Sequence, residues 1–161
     1  MVTLQPMMAA DFPAFFEAAS DSYANDNVAS GRWNEVDAPN LAREETKRLL
    51  PQAECTPDNS LFVLLDPERG AGVGYLWYGT MTRGTKRVAF LYQLYVHPQY
   101  RRHGYGLQAM QAFELESLRT GHHSLALNVF ASNPGALKLY ERVGYSPTSI
   151  GMRKELMRGD A

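Results

Sequence analysis

The sequence predicts one α+β domain over residues 1–161, with a central mixed, mostly antiparallel sheet flanked by helices. Three features carry this prediction. The first third has helical periodicity, the middle third is built of apolar runs separated by turn residues, and the second half holds a strand–helix–strand unit. The 161 residues lie within the roughly 100–200 expected of one domain and suffice for a core without metal or disulfide staples. Apolar residues make up 45% and charged residues 20%, a globular rather than a disordered composition.

Residues 2–5 alternate apolar and polar and stop at Pro6, which predicts a short first strand. A helix follows from Asp11 as N-cap, with Phe12, Phe15, Phe16 and Ala19 at helical spacing. Gly31 interrupts it, and a second helix starts near Asp37 or Pro39, carries Leu41, Leu49 and Leu50, and ends at Pro51. Residues 61–65 read as a buried strand, Asp66-Pro67-Glu68-Arg69-Gly70 as a turn, and 72–81 as the returning strand. A turn at Arg83-Gly84-Thr85 leads to a third strand over 88–96, completing an antiparallel meander. Residues 106–120 then form a helix with Leu107, Met110 and Leu118 on one stripe and Gly121 as terminator. A strand over 124–130, a helix over 134–143 and a final extended stretch or pair of strands over 145–156 complete the chain.

Sixteen Lys plus Arg against seventeen Asp plus Glu give a net charge of -1, so no global basic field exists for non-specific nucleic-acid binding. Cys55 is the only cysteine; it excludes an internal disulfide framework and, in Glu54-Cys55-Thr56-Pro57, has no basic neighbour to activate it. The adjacent His122 and His123 point in different directions and lack a third ligand, so no metal is expected. Residues 1–8 lack the basic start and apolar run of a signal peptide, and no apolar stretch approaches the roughly 18 residues of a membrane span. The expectation is a soluble, cytoplasmic protein with neither membrane nor nucleic acid as partner.

Between the strand ending at Val96 and the following helix lies His97-Pro98-Gln99-Tyr100-Arg101-Arg102-His103-Gly104-Tyr105-Gly106. Its glycines permit a tight turn and leave the backbone open, while unpaired N–H groups at the helix start carry the positive end of the dipole. Arg101, Arg102 and His103 add local positive charge, so the segment suits an anion such as a pyrophosphate. Neither a Gly-Lys-Ser/Thr P-loop nor an early dinucleotide glycine fingerprint is present. The bland reading is a loop-capping pair of glycines with solvated arginines.

Arg101-Arg102-His103-Gly104-Tyr105-Gly106 resembles the Arg/Gln-x-x-Gly-x-Gly/Ala signature of the GNAT superfamily of N-acetyltransferases, and Leu94-Tyr95-Val96-His97-Pro98 looks like that family's cofactor-binding strand and its exit. A second ordered match lies downstream, where Asn133-Pro134-Gly135-Ala136-Leu137-Lys138-Leu139-Tyr140-Glu141-Arg142-Val143-Gly144-Tyr145 resembles the family's Asn-x-x-Ala-x-x-Leu-Tyr-x-x-x-Gly-Phe/Tyr segment. The resemblance implies the GNAT fold, acetyl-coenzyme A as co-substrate, an amine acceptor, no metal, and a homodimer paired through final strands.

By this resemblance, backbone N–H groups of Arg102, His103, Gly104, Tyr105, Gly106 and Leu107 hold the pyrophosphate, with Arg101 beside them. The pantetheine arm would pair with Leu94, Tyr95 and Val96 like an added strand, and a backbone N–H near Leu94 would polarise the thioester carbonyl. Asn133 and Tyr140 lie seven residues apart, close to two helical turns, so both face one stripe. Asn133 would bind the pantetheine, although it also reads as an N-cap. Tyr140 would protonate the leaving thiolate as general acid; on spacing alone it reads as a core aromatic.

An attacking amine must first lose a proton. Many family members place a glutamate on the strand before the phosphate turn or on the next strand, where this chain carries Tyr92, Gln93 and Asn128. Deprotonation is therefore expected through ordered water or an acidic residue of the helical region, with Glu35 and Asp37 as candidates that also read as a solvated loop. Trp33, Tyr23 and Trp77 are candidates for an acceptor cleft or for core. The resulting expectation is direct acetyl transfer to a primary amine of a small molecule or protein. Its alternative, in view of the missing glutamate, is a catalytically silent acyl-coenzyme A binding or sensing module.

Overall fold

The computed structural model describes residues 1–159. In chain order it contains β1 (Thr3–Pro6), α1 (Phe12–Ala29), α2 (Ala38–Leu49), β2 (Asn59–Asp66), β3 (Ala71–Arg83), β4 (Lys86–Val96), α3 (Tyr105–Arg119), β5 (Ser124–Leu127) and α4 (Pro134–Arg142). All strands join one sheet in the order β1-β2-β3-β4-β5. Neighbours are antiparallel except β4 and β5, which run parallel because α3 carries the chain back between them. This is the mixed, mostly antiparallel sheet that the turn chemistry predicted.

Central strand β3 is buried from Val73 through Gly79, since helices cover both faces of the sheet. On one face Tyr75 and Trp77 pack with Phe15 and Ala19 of α1. On the other, Val73, Leu76 and Tyr78 meet Tyr105, Ala109, Met110 and Phe113 of α3. Helices α1 and α2 join through Ala24, Ala38 and Ala42, with Tyr23 and Trp33 against them. Tyr23 and Trp33 thus lie in this helix contact, and Trp77 lies in the core with its Nε1 donating to Asn59 Oδ1 at 2.8 Å.

Four local expectations change. Asp11 occupies the N-cap position of α1, but its carboxylate accepts from the Met8 N–H at 2.9 Å instead of capping the helix. The buried stripe of α3 is Tyr105, Ala109, Met110, Phe113 and Ser117, whereas Leu118 is exposed because the i, i+4 row starting at Tyr105 takes the sheet-facing side. Strand β5 ends at Leu127, short of Phe130, where its pairing with β4 stops at Leu91. Residues 146–159 form no strand and leave Ile150, Met152, Leu156 and Met157 exposed.

Among the described residues, no helix is long and apolar enough to cross a membrane, and no group of three potential metal ligands exists. His122 is buried, held between the Thr80 and Thr120 hydroxyls at 2.9 Å each, edge-on to Tyr78. Burial is the main cause of its lowered pKa, with Arg87 adding to the shift and a hydrogen bond with the Ser117 carbonyl opposing it. His97, enclosed by Tyr75, Tyr95 and Tyr100, is lowered by burial and then by Arg101. Both histidines bind protons more weakly folded than unfolded, so acidification below the ordinary value of 6.5 favours the unfolded chain. Urea midpoints are expected to fall from pH 7 to pH 5, with a shallower slope in His122→Gln; parallel slopes would remove His122 from this account.

Candidate active site

Strand β4 does not keep one alternation along its length. Trp77 of β3 pairs with Gln93, while the next residue, Tyr78, pairs with Leu91, so Tyr92 is an extra residue in a β-bulge. The bulge puts Tyr92 and Gln93 on the same face: Tyr92 stacks on Trp77 at 4.6 Å, and Gln93 Nε2 donates to Ser22 Oγ of α1 at 3.3 Å. Beyond it, Leu94 and Val96 turn to the α3 side, and Tyr95 turns to the α1 side, stacked on Tyr75 at 6.3 Å.

The bulge also opens the sheet. Pairing between β4 and β5 stops at Leu91 and Leu127, leaving the outer edge of β4 from Tyr92 to Val96 without a neighbouring strand. The His97 N–H bonds the Val73 carbonyl at 2.9 Å. By antiparallel alternation, the N–H and C=O groups of Leu94 and Val96 therefore face the open side. Of these, the Leu94 N–H and C=O and the Val96 N–H are left for an extended ligand with amide groups to satisfy, the Val96 carbonyl already accepting from Arg101 Nε.

This edge leads directly into the glycine turn. Arg102 and Gly104 adopt left-handed φ values of 64° and 81°, curling the backbone so that α3 begins at Tyr105. The first bond of the helix runs from the Gln108 N–H to the Gly104 carbonyl, so the N–H groups of Tyr105, Gly106 and Leu107 have no intrahelical acceptor. Tyr105 anchors the turn by donating to Asp66 Oδ2 at 2.6 Å. That bond, followed by the N–H groups of Arg69 and Glu68, holds the Asp66 carboxyl below its usual range. Arg101 donates from Nε to the Val96 carbonyl at 2.9 Å and lies over the Tyr95 ring at 5.5 Å. The His103 ring is bound to the Arg101 carbonyl at 2.7 Å.

Helix α4 forms the opposite wall. Asn133 caps it, its Oδ1 accepting from the Ala136 N–H at 3.1 Å, with Pro134 fitting the first turn. A cavity of about 340 Å³ is lined by Leu94 and Val96 of β4, Arg101 to Gly106 of the turn except His103, and Gly135, Ala136, Leu139 and Tyr140 of α4, with Tyr100 completing it. A Cβ on Gly106 would approach Leu139 Cδ2 to 3.3 Å, so this glycine lets α3 and α4 close on each other. Tyr140 packs against Tyr145 at 5.9 Å, and burial, then the charge of Asp26, raises its pKa. Its phenol therefore keeps its proton at neutral pH.

The structure thus brings together Leu94, Val96, Arg101, Arg102, Gly104, Tyr105, Gly106 and Tyr140 at one cavity. His103, Leu107 and Asn133 adjoin this group in sequence without lining it, and Tyr95 presents its ring to the other face. Glu35 lines a different hollow with Ala24, Asn25 and Val28, and exposed Asp37 accepts from Asn34 Nδ2 at 2.7 Å. Asp26 is an addition: a half-buried carboxylate on α1 that sequence reasoning passed over. Its spacing of one turn from Ser22 was visible; the place where α1 crosses the sheet was not.

A family model described as the acetyltransferase (GNAT) family matches residues 17–145. The chain belongs to the GNAT acetyltransferase family. Two Bacillus subtilis (strain 168) proteins, described as uncharacterized N-acetyltransferases, are similar over nearly their full length. YycN is 33% identical over 155 residues, covering 96% of this chain and 99% of that protein. YdgE is 30% identical over 154 residues, covering 96% and 98%. The crystal structure of B. subtilis YycN has a TM-score of 0.92 at 32% identity, covering 98% of this chain and 100% of that one. The open edge between β4 and β5 is therefore part of a GNAT fold.

Proposed function

We propose that this GNAT protein transfers the acetyl group of acetyl-coenzyme A to a primary amine of a small molecule or protein, by direct attack within a ternary complex. One observation carries the reading: the free edge of β4 at Leu94 and Val96 runs without a break into the unpaired N–H groups opening α3, and Tyr140 lies across the same cavity. An extended arm with amides fits the edge, and its pyrophosphate fits the helix start. Arg102 and Leu107 bound the stretch of backbone donors, while Asn133 stands at the head of α4 for the arm's polar groups.

The chemistry asks little of the protein beyond geometry and proton control. Bound along β4, the thioester would present its carbonyl near the Leu94 N–H, which stabilises the oxyanion as the amine adds. The C–S bond then breaks, and the Tyr140 hydroxyl supplies a proton to the departing sulfur. Thiol release from acetyl-coenzyme A is expected to depend on an acceptor from a panel of polyamines, amino acids, aminoglycosides and lysine-bearing peptides. Saturable cofactor binding with no turnover on any acceptor would replace this reading by that of a silent acyl-coenzyme A sensor. The uncharged Gln93 on β4, and the uncharged Asn128 just past the end of β5, keep that second reading in play.

A further inference from the structure

Helix α1 crosses the sheet obliquely. Phe15 packs edge-on against Tyr75 and Trp77 of β3, at 5.6 and 6.0 Å, and two turns later Ser22 accepts from Gln93 of β4. The helix has thus passed from β3 to β4 in the direction of β5. Its next turn on the same side brings Asp26 beyond the outer edge of β4, where the β4–β5 pairing has ended.

Across that gap a residue from the α1 face can meet a residue from the α4 face. The charge of Asp26 acts on the Tyr140 phenol, although α1 and α4 lie on opposite sides of the sheet. Asp26 is half-buried, and among the described residues its carboxylate has neither an ion-pair partner nor a side-chain hydrogen bond. Desolvation alone shifts its pKa, upward, which makes it a better proton acceptor than a solvated carboxylate. Arg32, the nearest cation along the chain, and Arg153, which reaches the end of α1, are engaged elsewhere. Arg32 donates to Asn27 Oδ1 and lies over Trp33, while Arg153 pairs with Glu155 and reaches the Ser30 and Gly31 carbonyls. From β4 the gap receives the uncharged Gln93, and from α4 the neutral Tyr140.

We propose that Asp26 is the catalytic base, binding the ammonium group of an alkylamine acceptor and taking its proton before attack. This assignment rests on the acetyl-transfer reading above. The ammonium gives one proton to Asp26, and the neutral nitrogen forms a bond to the thioester carbonyl carbon. As the C–S bond breaks, sulfur takes the Tyr140 proton, and the second nitrogen proton, lost as the amide forms, restores Tyr140. Asp26 returns its proton to solvent, so one proton is released per amide made. Only amines that arrive charged depend on this base; an amine already neutral needs none.

The test compares wild type, Asp26→Asn and Asp26→Glu with acetyl-coenzyme A and two probe acceptors. Spermidine is charged at neutral pH, whereas hydroxylamine is uncharged. For Asp26→Asn, kcat/KM for spermidine is expected to fall by about 10²–10³-fold, while hydroxylamine turnover changes by less than about threefold. Asp26→Glu should recover part of the spermidine rate. Calorimetric binding of acetyl-coenzyme A and the thermal midpoint should match wild type in both variants. Unchanged spermidine turnover in Asp26→Asn, or equal losses on both acceptors, would overturn the assignment. Wild type that binds acetyl-coenzyme A but turns over neither probe would overturn the transfer reading, and the base with it.

Discussion

Replacing Tyr140 with phenylalanine is expected to lower kcat about 10²-fold while leaving acetyl-coenzyme A affinity within about twofold of wild type. The exchange removes one hydroxyl from a ring whose packing against Tyr145 remains, so the cavity keeps its shape. The magnitude follows from proton affinities. Burial, reinforced by Asp26, raises the Tyr140 pKa above the ordinary 10.0, which keeps the proton available but makes its complete transfer costly. A leaving thiolate, with a thiol pKa near 8.5 in ordinary surroundings, is less basic than the phenolate. As the proposed general acid, Tyr140 would act while charge builds on sulfur, and the expected loss lies at the low end of what general acids contribute. A comparable fall in cofactor affinity would assign Tyr140 to binding; no fall in kcat would return it to the core.

Gly74→Ala is the substitution with the largest expected cost to stability. A Cβ at this position would overlap the Tyr95 carbonyl oxygen and stand 3.0 Å from both the Tyr95 carbonyl carbon and Val96 Cα, all of them backbone. No rotamer change relieves such a contact, so β3 and β4 must separate where Gly74 pairs with Val96. About 3 kcal/mol is expected, equivalent to a fall of roughly 6–12 °C in the thermal midpoint for a chain of this size. Tyr95 and Val96 belong to the edge proposed to receive the pantetheine arm, so weaker acetyl-coenzyme A binding should accompany the loss. A midpoint within about 2 °C of wild type would mean that the strand pair yields more readily than its register suggests.

Much of the fold was legible because its signals are local. Turn residues at Asp66-Pro67-Glu68-Arg69-Gly70 and Arg83-Gly84-Thr85 announced the meander, and Gly104 with the arginines before it announced a turn that feeds a helix. Legibility ended where the outcome depends on packing across elements. The α3 stripe, chosen by the sheet, starts from Tyr105, and the extended residues after Tyr145 find no strand partner among the described residues. At the site, Glu35 and Asp37 were the acids of the helical region that the sequence offered; Glu35 lines a separate hollow, and the carboxylate whose charge acts on Tyr140 is Asp26.

The sequence by itself determined the order of elements, the phosphate-type turn from Arg101 to Gly106, and the Asn133–Tyr140 helix, because each follows from residue type and short-range spacing. Only the tertiary structure decided that Tyr92 is extruded as a bulge, that β4 and β5 part beyond Leu91, and that α1 crosses the sheet so that Ser22 meets Gln93 of β4. Strand register and the crossing of a helix over a sheet are set by how side chains from distant segments fit together. Trp77 against Tyr92 and Phe15 against Tyr75 fix both here.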